Sequence, residues 1–394
     1  MSDAHPSTPP PRLIILDYAD ITSDPSTTTN ISSSLQQAFG GGTSSNSTSP
    51  LGIIAIRNIP GFLEAKRAFL PLAHTLAHLD PSYLEDKLSD PPSLYNAGWS
   101  RGKEKLGDDA KPDLAKASYY FNPVTDMPGT EEERSKYPAS YPCNVWPDEE
   151  EVPSLTNFRE RAKTLGNIMH GAVVRLARHI DHLAERGVRG YPPNLLFDAM
   201  KETEKVKGRL LYYYPLDDDN DNDTTTFDNW IGWHNDSGFL TSLAGDLYIN
   251  NDTGEPLPPS QIDPLAGLYV TDRSGASIHV TIPEDCMAVQ IGECVQILTG
   301  GVVSATPHCV RGPRSDWNGC PSPVKVARIS CPCFIDSKPT FRLICPEGCT
   351  REEVVKAGIG REKVPLLEER WLRDGMSFGD FLQTTFQKYY DWKG

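Results

Sequence analysis

The chain has 394 residues, 38% of them hydrophobic, which is enough for one large domain with insertions or for two small ones around a sizeable core. A formal net charge of −15, with no cluster of Lys and Arg, argues against a nucleic-acid groove and leaves a small molecule or a neutral peptide as the expected partner. The nine cysteines are odd in number, no secretory signal precedes them, and no apolar stretch reaches membrane-spanning length. The expectation is a soluble, reduced, cytoplasmic protein, a monomer with no membrane and no nucleic-acid partner.

In chain order, residues 1–12 are Ser- and Pro-rich and read as a disordered tail. Residues 13–17 form a short apolar run and 51–57 an Ile-rich one, both read as strands, with a flexible Gly/Ser/Thr/Asn insertion over 40–49 between them. Helical spacing follows over 63–79. Ser154 is placed to cap a long amphipathic helix running to about Arg186 and stopped by Gly187, and a shorter helix is expected over 194–205. From residue 208 to 334 the chain changes to short β-like runs: 209–214, 240–244, 267–270, 277–282, 286–291, 295–298, 305–310 and 324–334. Regular short strands separated by turn residues suggest a sandwich or barrel. The tail returns to helix, with Thr350 capping 351–357 and Ser377 capping 378–390. The organisation is therefore α+β: an N-terminal α/β and helical region over 13–205, a β-rich core over 206–345 and C-terminal helices over 346–394.

Three metal readings fall to simpler ones. The acidic run 217–223 lacks the Gly at position six and the Glu at position twelve of a calcium loop, where Asn222 and Asp228 stand, so it reads as a solvated insertion. Of Cys331/Cys333 and Cys345/Cys349, only the second pair has a usual zinc spacing, and all four read as small apolar residues. His74 and His78 are spaced for one helix face but have no third ligand nearby. His170, His182 and His279 read as structural or surface residues.

The chemistry-bearing pattern is His-x-Asp. Two imidazoles and a carboxylate on one face of iron(II) leave positions open for co-substrate and oxygen. The pattern occurs three times, at His78/Asp80, His179/Asp181 and His234/Asp236. The first two lie in helical patterns, where residues i and i+2 point to nearly opposite sides; the third lies at the edge of a β-run, where they share a side.

The stretch Gly232-Trp233-His234-Asn235-Asp236-Ser237-Gly238-Phe239-Leu240-Thr241 resembles the Gly-x-His-x-Asp-x-Gly-x-Leu-Thr signature of the 2-oxoglutarate/Fe(II) oxygenases, in particular their isopenicillin N synthase-like branch. Gly267-Leu268-Tyr269-Val270 resembles that family's Gly-Leu-Gln-Val strand. Val289-Gln290-Ile291-Gly292-Glu293, followed by Gln296 and Gly300-Gly301, resembles the run that leads to the distal histidine, here His308. Gly52 to Asn58 is similar to the segment before the family's first long helix. The resemblance covers most of residues 13–392 and is sharp from about 208 to 334.

The resemblance implies a double-stranded β-helix (jelly-roll) core backed by helices, with iron(II) on His234, Asp236 and His308. 2-Oxoglutarate is then the co-substrate and O2 the oxidant. A dicarboxylate needs a fixed cation, best the planar fork of Arg, and the family's Arg-x-Ser pair matches Arg328 and Ser330, which alternation puts on one strand face. The family's Asn-Tyr-Tyr-Pro matches Tyr212-Tyr213-Tyr214-Pro215, so Tyr214 maps onto its 2-oxoglutarate contact, while Tyr212 replaces the usual Asn. Two further departures are apparent insertions, over 315–323 and between Pro215 and His234. Trp233, Phe239, Tyr212, Phe334, Tyr120, Phe121 and Asn122 are candidates for the substrate pocket, with core packing as the competing reading. The implied activity is oxidation of a small molecule (hydroxylation, desaturation or similar) with 2-oxoglutarate converted to succinate and CO2. A 2-oxoglutarate-independent iron oxidase of the isopenicillin N synthase type, a non-catalytic binding protein on the same fold and a zinc hydrolase remain alternatives, and the substrate itself is open.

Overall fold

The computed structural model describes residues 12–41, 50–103, 105–106, 111–216, 230–314, 317 and 324–391. The expected tail before Arg12, most of the 40–49 insertion, the acidic run 217–223 and most of the 315–323 insertion lie outside the described residues.

Twelve strands carry the architecture: β1 (Ile14–Asp17), β2 (Ile53–Arg57), β3 (Gly98–Arg101), β4 (Lys116–Phe121), β5 (Val206–Tyr213), β6 (Ile231–His234), β7 (Leu240–Asn250), β8 (Gly267–Thr271), β9 (Ser277–Val280), β10 (Met287–Ile291), β11 (His308–Arg311) and β12 (Val326–Ile335). Eight form a mixed sheet in the order β1-β2-β10-β7-β12-β5-β4-β3, in which only β1 and β2 run parallel. The other four form a second sheet, β9-β8-β11-β6. Side chains of the two sheets meet in two apolar clusters, one of Leu51, Ile53 and Ala288 with Leu268, Val270 and Val280, the other of Leu211 and Tyr213 with Trp230 and Val310.

Among the helices are α1 (Thr29–Phe39), α2 (Phe62–Phe69), α3 (Leu72–Ala77), α4 (Phe158–Gly187), α5 (Leu195–Glu202), α6 (Glu293–Leu298), α7 (Arg351–Lys356) and α8 (Phe378–Asp391), together with the short helices Tyr18–Thr22, Pro81–Lys87 and Glu131–Lys136 and several 3-10 turns. Helix α4 buries Phe158, Ala162, Leu165, Met169, Val173, Leu176 and Ile180, a three-and-four spacing that makes one apolar stripe, packed in the main core with residues of the eight-stranded sheet. None of the described helices is long and apolar enough to cross a membrane.

Several elements differ from expectation, each for a physical reason. The helix expected over 63–79 is broken into α2 and α3, because Pro71 has no N–H to continue the ladder. Ser154 lies in a 3-10 turn, Pro153–Leu155, and α4 begins after Asn157, whose left-handed backbone (φ +62°) turns the chain. Asn194 likewise precedes α5 rather than starting it, and α5 ends at Glu202. The apolar run 295–298, expected as a strand, belongs to α6. All six of its residues are buried, so its periodicity carried no information about which element it forms. Strands β3 and β4 were not expected. Every residue of β4 is buried, so it shows no alternation, and it hydrogen-bonds to β5 across the 205/206 boundary. At the C-terminus, Thr350 and Glu353 form a capping box on α7, and Ser377 Oγ accepts from Asp380 N–H.

Candidate metal centre

Strands β6 and β11 are antiparallel neighbours, and their register sets His308 opposite His234. Asp236 follows two residues beyond the end of β6. One ligand atom from each of the three side chains lies within 4.8 Å of the others, and among the described residues no other group of three or more His, Cys, Asp or Glu does this. His308 Nε2 is 3.9 Å from Asp236 Oδ1, and the two imidazole centroids are 4.2 Å apart.

The tautomers follow from the backbone. His234 Nδ1 lies 2.8 Å from the Gly232 carbonyl and His308 Nδ1 lies 3.2 Å from that of Thr306. A carbonyl only accepts, so each Nδ1 carries the proton and each Nε2 keeps its lone pair for a metal. Asp236 is buried and its Oδ2 has no hydrogen-bond partner. A buried, unpartnered carboxylate oxygen beside two unprotonated nitrogens is expensive unless a cation sits among them. The donor set thus fits a divalent metal, and its two-nitrogen, one-oxygen composition suits iron(II).

Burial and the neighbouring His308 push the His234 imidazolium down, to about 4, against the pull of Asp236. The sign for stability is therefore fixed. The unfolded chain takes up this proton near pH 6.5, whereas the fold resists it until about pH 4. The metal-free protein should lose stability as pH falls from about 6.5 toward 4, with no further change from this group above that window. Urea midpoints across the window should slope less in His234→Ala; an unchanged slope would contradict the assignment.

The loop holding Asp236 is braced on two sides. Asn235 Nδ2 donates to Glu293 Oε1 (2.9 Å), and Glu293 N–H donates to the Asp236 carbonyl (2.8 Å). Glu293 in turn receives both Arg370 Nη atoms at 2.5 Å, a pair with essentially no solvent exposure. On the other side, Phe239 N–H donates to Asp336 Oδ1 (3.0 Å), while Lys205 Nζ holds Asp336 Oδ2 (2.7 Å). Gly238 is required here, because a Cβ at that position would run into Asp336 Oδ1.

The triad opens into a cavity of about 70 Å³ between the two sheets. Arg328 and Ser330 line it from β12, and Arg328 is 4% exposed. Arg328 Nη2 donates to Asp246 Oδ1 at 2.5 Å, and its guanidinium carbon lies 4.7 Å from the centre of the Tyr213 ring. Arg328 Nε and Nη1 are buried without partners, as is the Tyr248 hydroxyl, whose residue pairs with Arg328 in register.

Tyr214 is not brought to this site. On β5 the residues facing the cavity are Arg209, Leu211 and Tyr213, whereas Leu210, Tyr212 and Tyr214 pack on the helical side. The Tyr214 hydroxyl donates to the Ala77 carbonyl at 3.4 Å, and Arg101 lies over its ring. Of the aromatic and polar pocket candidates, only Phe334 lines the cavity. Tyr212 donates to Asn251 Oδ1, Phe239 packs on Phe341 and Phe378, and Phe121 packs on Phe69. Asn122 Nδ2 donates to the Glu204 carbonyl, Trp233 stacks under Lys363, and Tyr120 lies beside Lys207 and Arg209.

Asp246 and Gln290 were missed. Strict alternation along β7 from Thr241 and Leu243 would turn Asp246 away from the cavity. Gly245, at φ +85°, shifts the phase, as does the register break opposite it between Ser330 and Pro332. The other histidine pairs are structural. His74 and His78 stack on each other and bond backbone carbonyls, while Asp181 accepts from Tyr191 and from two α5 amides. The cysteines of both candidate zinc pairs are free thiols.

No protein-family model matches the sequence, and no curated protein sequence does. Solved structures do match along nearly the whole chain. A full-length Neurospora crassa protein, solved in complex with alpha-KG (2-oxoglutarate), superposes with a TM-score of 0.63 at 18% identity over 96% of this chain and 95% of its own; it has also been solved with alpha-KG and thymine. A Caulobacter crescentus 2OG-Fe(II) oxygenase family protein gives 0.61 at 18%, over 95% of this chain and 98% of its own. The rice dioxygenase for auxin oxidation gives 0.55 at 14%, over 96% of each chain. At these identities the likeness is one of fold, and the chain has the fold of the 2-oxoglutarate/Fe(II) oxygenases.

Proposed function

We propose that this protein is a non-haem Fe(II), 2-oxoglutarate-dependent oxygenase acting on a small molecule, with its metal on His234, Asp236 and His308. The observation that carries this reading is the meeting, in one cavity, of a three-ligand cluster whose Asp236 Oδ2 lacks a partner and a buried Arg328 with two unpartnered donors. In this reading the double-stranded β-helix core (206–345) lies within the two facing sheets, the region 13–205 extends the larger sheet with β1–β4, and 346–394 is its helical brace. Iron(II) bound to the triad would supply the redox chemistry by which O2 oxidises 2-oxoglutarate to succinate and CO2 together with the substrate.

The chain's own residues do the rest. The two Nδ1 hydrogen bonds fix the imidazoles so that Nε2 faces the metal. Arg328 and Ser330 anchor the far carboxylate of 2-oxoglutarate, with Arg328 Nε and Nη1 as free donors. Leu211, Leu243, Leu268 and Ile282 wall the cavity and exclude water. Tyr214→Phe should leave 2-oxoglutarate affinity unchanged within about twofold, because its hydroxyl bonds Ala77; a tenfold loss by calorimetry would restore Tyr214 to the site.

One observation favours a second reading, the 2-oxoglutarate-independent iron oxidase. Arg328 already holds a carboxylate, that of Asp246. Succinate release separates the two. Iron-loaded protein supplied with 2-oxoglutarate and O2 should form succinate even without substrate, and His308→Ala should abolish it. Bound iron without succinate favours the independent oxidase, and absence of iron binding favours the non-catalytic protein on this fold.

A further inference from the structure

The cavity has a second polar feature at the opposite end from Arg328. Gln290, on β10, lines it and is 2% exposed, and neither its Oε1 nor its Nε2 has a hydrogen-bond partner. Its strand is paired on both sides, to Ile53 of β2 and Thr241 of β7. Burying both ends of a carboxamide unpaired is costly in a well-packed strand.

2-Oxoglutarate does not answer this need. Asp246 marks the position of the Arg328 guanidinium on β7, and Thr241 marks that of Gln290. Five residues of β7 separate them, a backbone span of at most about 15 Å before the Gly245 irregularity shortens it, whereas a five-carbon dicarboxylate spans about 6 Å. Ionised 2-oxoglutarate also carries only acceptors, so it offers nothing to Oε1. A carboxamide facing a ligand presents a donor and an acceptor side by side. Its complement is the reverse pair, an N–H beside a C=O, as in a lactam, an imide or the amide edge of a heterocycle. Leu243, Ile282 and Phe334 around it supply apolar walls for a ring.

We infer that Gln290 determines substrate specificity by pairing with a cis-amide edge, so that the substrate is a small, uncharged lactam, imide or amide-bearing heterocycle. This rests on the oxygenase reading for the reaction, and its test is independent of turnover. Uracil, glutarimide and 2-pyrrolidone are titrated calorimetrically into the full-length protein, with and without iron(II) and 2-oxoglutarate under anaerobic conditions. 1,3-Dimethyluracil, N-methylglutarimide and N-methyl-2-pyrrolidone, which lack the N–H, serve as matched controls.

At least one N–H compound should bind about 10-fold or more tightly than its methylated partner. Gln290→Leu should erase that preference while leaving iron content unchanged. The inference is overturned if none of the three binds, if the methylated partners bind equally well, or if Gln290→Leu keeps the preference. A 2-oxoglutarate charge-transfer band that fails to appear in the same samples would count against the oxygenase reading alone.

Discussion

Arg370→Ala should destabilise the protein by about 3–5 kcal/mol, the cost of leaving a buried carboxylate without its partner. Glu293 and Arg370 are joined by two charge-assisted bonds with almost no exposure, and Arg370 also donates to the Pro365 carbonyl and to Thr385 Oγ1. Removing the guanidinium strands Glu293 at the point where it holds Asn235, the residue between His234 and Asp236. Chemical denaturation measures the first effect. The second is a fall in iron(II) affinity of about 10–100-fold, the range for loss of an outer partner. A double variant, Arg370→Met with Glu293→Leu, removes both charges and should recover much of the stability but not the affinity, because Asn235 still loses its acceptor. A single Arg370→Ala that costs under about 1 kcal/mol would mean that solvent reaches the pair.

His308→Ala has the larger effect on the metal. It removes one of the three proposed ligands, so iron(II) affinity should fall by more than the roughly 100-fold upper range for outer partners. Folding should survive. In the metal-free protein the imidazole makes one long bond, to Thr306 O at 3.2 Å, and its loss relieves crowding with His234. Equilibrium dialysis against iron(II), with far-ultraviolet circular dichroism to confirm the fold, reads both. Iron binding at wild-type affinity in a folded His308→Ala protein would remove His308 from the metal site.

Of the three proposed ligands, His234 and Asp236 were legible because their spacing carries geometry. A His-x-Asp pair at the edge of a strand shares a face, whereas His308 was reached through the family resemblance of the run before it, and the strand register then sets it opposite His234. Arg328 and Ser330 were reached through their resemblance to the family's Arg-x-Ser pair, alternation agreeing that they share a face, and both line the cavity. Tyr214 was placed by motif rather than by phase, and the phase of β5 sends it to the helices while Tyr213 faces Arg328. Asp246 was hidden by the Gly245 bulge, an irregularity that changes which residues face inward without altering composition. Gln290 stood inside the recognised motif, but its unpaired carboxamide is visible only once its surroundings are. Glu293 and Arg370 are 77 residues apart, and no local pattern links them. Strands β3 and β4 were missed for a related reason. Buried on both faces or bounded by unusual turns, they show none of the alternation by which half-buried strands are read.

The most direct test of the central claim is an anaerobic titration of the iron(II)-loaded protein with 2-oxoglutarate, followed in the visible charge-transfer region, with Arg328→Ala in parallel. A band that grows to one equivalent in the wild type and requires far more 2-oxoglutarate in the variant is the predicted result. Iron bound with no band at any concentration would contradict 2-oxoglutarate dependence, and a band indifferent to Arg328 would contradict the anchoring of its far carboxylate.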